Sequence, residues 1–133
     1  MNVKDLILAF ICLNLAAAIV NCLGIFHSSP RYYAPSELTV LSVPDNWEDV
    51  IVPSTLAVGG IFSLILDYGS AGVAMLTIGV LGMFYHPARW ALSGFSQIIE
   101  WFGAPSIICQ AANVISSFIW LMFFVEYLGK RVE

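Results

Sequence analysis

Charge is what this chain of 133 residues has least of: five Lys and Arg and nine Asp and Glu, together 11% of the sequence. A soluble domain carries about 25% charged residues because its surface must be solvated. With 59% hydrophobic residues and a mean hydropathy of +0.86, the composition excludes an ordinary soluble globule. The basic residues are too few and too scattered, with only Lys130-Arg131 adjacent, to neutralise a row of phosphates, so nucleic acid is not an expected partner.

Reactive residues are equally sparse. The chain has two histidines and three cysteines, and it lacks a Gly-rich phosphate loop, a CxxC, an HExxH, a spaced Ser/His/Asp set and an Arg-rich helix. Cys12, Cys22 and Cys109 sit inside apolar runs and read as small buried residues, not a disulfide framework. Catalysis needs at least two mutually positioned reactive groups. Neither an enzyme nor a cofactor is therefore expected. The one metal candidate is His27 with His86, helped by Glu37 or Glu100, which share a face only if the chain crosses a membrane four times.

What the sequence does have is long uncharged runs. Leu6 to Phe26 is 21 residues, about 31 Å as a helix, which matches a hydrocarbon core of roughly 30 Å. A secretory signal competes with a span here, since Lys4 precedes the run and Ala16-Ala17-Ala18 resembles a cleavage site. Asn21 stands where a lipoprotein box would need a small residue before Cys22, and the segment is expected to be retained. Asn14, Ala18 and Asn21 fall on one helical face, and that face should meet protein, because an amide facing lipid forfeits its hydrogen bonds.

Residues 27–50 change character, with three prolines, Tyr32-Tyr33 and four of the acidic residues, and form the expected aqueous loop. Asp45 and Glu48 have the spacing of a capping box at its end, and Trp47 suits a membrane boundary. Val50 to Tyr85 is then 36 nearly uncharged residues, about 54 Å as one helix, too long for a tilted span. A turn at Leu66-Asp67-Tyr68-Gly69-Ser70, with Gly69 left-handed and Ser70 capping the next helix, divides it into spans at 51–66 and 70–86. The rival is a single tilted helix from Ser54 to Tyr85. It would make Asp67 a buried carboxylate at a cost of roughly 2.5–3.5 kcal/mol. The positive-inside count is three against two for either topology and does not separate them.

Residues 87–102 place Ala88, Ala91, Leu92, Phe95, Ile98, Ile99 and Phe102 on one face and Arg89, Ser93, Ser96, Gln97 and Glu100 on the other. That pattern predicts an amphipathic helix lying in the membrane interface, ended by Gly103. A last span at 105–128 carries the stripe Ser106, Gln110, Asn113 and Ser117, spaced four, three and four apart. Its obvious partner is the Asn14/Asn21 face, though the same stripe would serve a second subunit or a second copy. Glu126 is placed to pair with Lys130 at i+4 or to snorkel. Small-xxx-small pairs at Gly59/Ser63, Ser70/Ala74 and Ala112/Ser116, and Gly72 with Gly79, suggest close helix contacts.

The expected fold is an all-α integral membrane bundle in one domain, of four or alternatively three transmembrane helices plus an interfacial helix, in a plasma or inner membrane. Its partners are the lipid bilayer and either other membrane subunits or copies of itself. Two functions fit: a non-catalytic accessory subunit of a larger assembly (an energy-transducing complex, a secretion or pilus apparatus, or a membrane-containing virion), or a small self-assembling pore or transporter of holin or exporter type. The first suits better a chain whose polar residues are a few neutral amides, not a water-facing wall.

Overall fold

The computed structural model describes residues 2–23 and 47–129, and all of its regular elements are helical. They are α1 (Val3–Cys22), α2 (Glu48–Ile65), α3 (Gly69–Phe84), α4 (His86–Leu92), α5 (Gly94–Trp101) and α6 (Ser106–Phe124), the last extended by a π-helical turn at Val125–Gly129. The stretch 3–21 of α1 and the stretch 106–129 are long and apolar enough to cross a membrane, while 50–65 and 69–84 are shorter apolar helices. Asp45 and most of the expected loop lie outside the described residues, and 48–50 belong to α2.

At Asp67 the structure has the expected turn and not the rival single helix with its buried carboxylate. The residue is exposed, with φ of 72°, in the turn between α2 and α3. The Tyr68 amide donates to the Ser63 carbonyl at 2.8 Å and the Asp67 amide to the Leu64 carbonyl at 3.3 Å, the paired bonds of a Schellman cap. The expected left-handed residue was Gly69. Aspartate also tolerates that conformation, so the chain reverses two residues earlier, and Gly69 and Ser70 open α3. The same cap ends α5, where Gly103 has φ of 85° and the amides of Gly103 and Ala104 reach the carbonyls of Glu100 and Ile99. There the expected glycine is the one used.

α2 and α3 form the most extensively packed pair, and glycine is the reason. A β-carbon on Gly60 would lie 2.5 Å from the Leu76 backbone nitrogen, and one on Gly79 would strike the Ala57 backbone. Gly72 presses similarly on Leu64. Backbones this close exchange dispersion contacts that larger side chains would prevent. The Gly72/Gly79 spacing was readable in the sequence; the matching role of Gly60 on α2 was not.

α1 runs antiparallel to α6. Lys4 pairs with Glu126 at 2.6 Å, and the Tyr127 hydroxyl donates to the Lys4 carbonyl at 2.8 Å. Glu126 thus finds its cation on α1; Lys130 lies outside the described residues. Gly129 packs against Tyr68, so the α2–α3 turn lies at this same end of the bundle. α3 therefore ends, and α6 begins, at the opposite end, and α4–α5 leaves from and returns to that end. The apolar core joins the helices through Ile11, Val52, Leu56, Met75, Leu92, Trp120 and Phe124.

Gly79→Ala is expected to force α2 and α3 apart and to cost about 1–3 kcal/mol, the usual penalty for overpacking. Gly69→Ala meets open space and should be neutral or slightly favourable. Detergent unfolding curves of the two variants would check this, and equal losses would rule out close backbone approach as the basis of the hairpin.

Candidate functional site at a broken helix

Polar side chains concentrate in the interior. Among the described residues, Arg89, Gln97, Asn14, Asn21, Asn113, Ser93 and Ser96 rank with the largest side chains that are fully buried. Large apolar residues such as Leu13, Ile19, Phe62, Ile107 and Phe118 are exposed. Buried polar groups must be hydrogen-bonded to one another, so the location of those bonds defines the site.

They meet where α4 gives way to α5. A continuous helix would send the Phe95 amide to the Ala91 carbonyl, but the Asn14 side chain stands between them. Its Oδ1 accepts from the Phe95 amide at 3.0 Å, and its Nδ2 donates to the carbonyls of Ala91 and Leu92, each at 3.3 Å. One amide thus completes both sides of an interrupted backbone ladder, a recognised cause of a sharp helix break. Ser93, at the break, donates its hydroxyl to the Arg89 carbonyl at 3.2 Å, and the Ser96 hydroxyl donates to the Ser93 carbonyl at 2.9 Å. The small Ser93 side chain leaves room for this, and Gly94 is required outright, since a β-carbon there would collide with the Asn14 carbonyl oxygen.

Two turns along α1, Asn21 donates to the Gln97 side-chain oxygen at 2.6 Å, with both groups buried. The Asn21 Oδ1 is buried with no hydrogen-bond partner, so Gln97 satisfies only half of that amide. Phe10 stacks on Phe95 with ring centroids 4.5 Å apart, closing the apolar side of the junction.

The expected interfacial helix at 87–102 is therefore corrected twice. It is two helices, and the face carrying Arg89, Ser93, Ser96 and Gln97 turns inward, with Arg89 only 2% exposed. Amphipathicity fixes which side chains share a face but not whether that face meets water or protein. One signal in the sequence was the amide face of α1, which bonds to Gln97 and to the α4–α5 backbone.

The expected pairing of Asn14 and Asn21 with the α6 stripe is corrected as well, because all bonds of those two amides go to α4 and α5. The α6 stripe divides. Asn113 and Ser117 are buried, with the Ser117 hydroxyl donating to the Asn113 carbonyl at 2.8 Å, while Ser106 and Gln110 are exposed. Cys109 is buried, as expected, but Cys12 is exposed. Of the metal candidates, His27 lies outside the described residues and His86 opens α4 with its side chain outside them; no group of three or more metal-ligating side chains occurs among the described residues. Gln97 and Gly94 are the members of the site that sequence reasoning missed. Compared with known proteins, the chain matches no family model, no curated protein and no solved structure.

The arrangement holds backbone in place. Replacing Asn21 by Leu should cost about 0.6–1.7 kcal/mol, the span of measured hydrogen bonds between membrane helices. Adding Gln97→Leu should recover part of the loss, because two apolar partners leave no acceptor stranded. A double-mutant cycle in detergent measures the coupling, and strictly additive losses would mean that the pair contributes nothing beyond packing.

Proposed function

We propose that this chain is a multi-pass integral membrane protein in which α1, α2, α3 and α6 each cross the bilayer, and that it serves as a non-catalytic accessory subunit holding a neighbouring membrane polypeptide in place. The inside-out distribution supports the membrane setting. Amides buried against one another and against backbone inside, with leucine, isoleucine and phenylalanine outside, suit a hydrocarbon solvent and oppose an aqueous one. α2 and α3, at 18 and 16 residues, give about 27 and 24 Å, short of the hydrocarbon thickness but within what local thinning accommodates.

Gln110 carries the subunit reading. It is exposed on α6 beside Ile107 and Val114, which are also exposed. A glutamine on a lipid-facing surface loses hydrogen bonds that a neighbouring helix restores. Asn113, one turn on, already faces the bundle, so the stripe continues from the intrachain core out onto a partner.

Purification in a mild detergent followed by native mass analysis should find the chain together with other polypeptides, and Gln110→Leu should release them while leaving the chain folded. A homo-oligomer that conducts ions in planar bilayers would replace the subunit reading with the pore. The topology has its own check. Cysteines introduced at Asp67 and Tyr127 should label from one side of sealed vesicles and those at Trp47 and Phe102 from the other; labelling of Asp67 and Trp47 from the same side would refute four crossings.

A further inference from the structure

α1 and α6 leave a slot between them that is polar at one end only. At its mouth a recess of about 410 Å³ is bounded by Asn2, Lys4 and Glu126. Further along, a recess of about 390 Å³ is lined only by apolar residues, Phe10, Leu13 and Ile119 among them. The two recesses share Val3, Ile7 and Met122, so they adjoin one another along α1 and α6, and both are open to the side. From Lys4 to Leu13 they follow α1 for about 14 Å. A slot of this size, in the range of small-molecule sites, with charge at its mouth and hydrocarbon along its length, has the shape of an amphiphile.

The mouth also specifies the headgroup. Lys4 and Glu126 form an ion pair at 2.6 Å, yet their side chains remain 51% and 39% exposed, so both charges can be reached. An exposed pair of this kind contributes little by itself and is readily exchanged. Among the described residues Lys4 is the cation paired with Glu126, and a headgroup bearing only an anion would take Lys4 away from it. One bearing a phosphate and a primary ammonium satisfies both, the ammonium donating charge-assisted hydrogen bonds to the carboxylate. We propose that the α1–α6 slot is a binding site for a phospholipid of the phosphoethanolamine class, with one acyl chain along Leu13 and Ile119, its phosphate on Lys4 and its ammonium on Glu126. The site rests on the membrane reading above.

The test is native mass spectrometry of the protein released from nanodiscs of equimolar palmitoyl-oleoyl phosphatidylethanolamine and phosphatidylglycerol. The wild-type chain should retain phosphatidylethanolamine by a factor of about five over phosphatidylglycerol, the scale of one exposed ion pair. Glu126→Gln should shift retention toward phosphatidylglycerol, because Lys4 is left alone; Lys4→Gln should weaken retention of both lipids. Ala9→Trp, which fills the apolar slot without touching the charges, should also lower both. No headgroup preference in the wild type, or a preference unmoved by both charge substitutions, overturns the site. If the wild-type chain is stripped from membranes by alkaline carbonate and fails to enter nanodiscs, it is the membrane reading that falls.

Discussion

The structure depends on one side chain placed inside another helix's backbone. Asn14 takes the Phe95 amide and gives to the Ala91 and Leu92 carbonyls. Without it the broken geometry would leave the Phe95 amide and the Ala91 and Leu92 carbonyls, all at least partly buried, short of a hydrogen bond, at a cost of about 1–3 kcal/mol for each group left unpaired. The break lets the chain leave and return to the same end of the bundle between α3 and α6 while keeping its polar side chains inside. Gly94 is the corresponding requirement on the other helix, since only a residue without a β-carbon lets the α1 backbone come close enough for the amide to reach.

Two modes of helix association divide the molecule. α2 and α3 meet through Gly60, Gly72 and Gly79, where the stabilisation is close contact and no hydrogen bond is needed. α1 has a largely apolar, exposed surface, with exposed residues such as Leu13, Ile19 and Cys12, and is tied to its neighbours by Asn14, Asn21 and the Lys4–Glu126 pair. Burial of apolar area drives association in water but not between helices already surrounded by hydrocarbon. In the membrane setting proposed above, small residues and amides would be the two attachments available, and the α2–α3 and α1 contacts are of these two kinds.

Much of the architecture was legible in the sequence. The four apolar helices, the division near Asp67, the helix end at Gly103 and the inward amide face of α1 all follow from run lengths, turn residues and the spacing of Asn14, Ala18 and Asn21. What escaped were pairings. Asp67 in place of Gly69 as the left-handed residue depends on which carbonyls the following amides reach, and aspartate and glycine both allow it. The polar face of 87–102 was visible, but a periodicity of 3.6 carries no information about what lies opposite. Asn14 and Gln97 each look like isolated amides until α1 is laid across α5.

The buried polar layer also fixes a dependence among the helices. Between Ala91 and Phe95 stand Leu92, Ser93 and Gly94; there is no proline, and the Ser-Gly pair is a weak step in a helix that other contacts can open. In the absence of α1 the least costly arrangement reconnects the Phe95 amide to the Ala91 carbonyl, since an unmet amide has no water to turn to in an apolar surrounding. The break therefore combines a weak Ser93-Gly94 step with tertiary contact, Asn14 meeting the groups it frees and Asn21 holding α5 through Gln97. The shape of the second half of the molecule thus depends in part on two asparagines of its first helix.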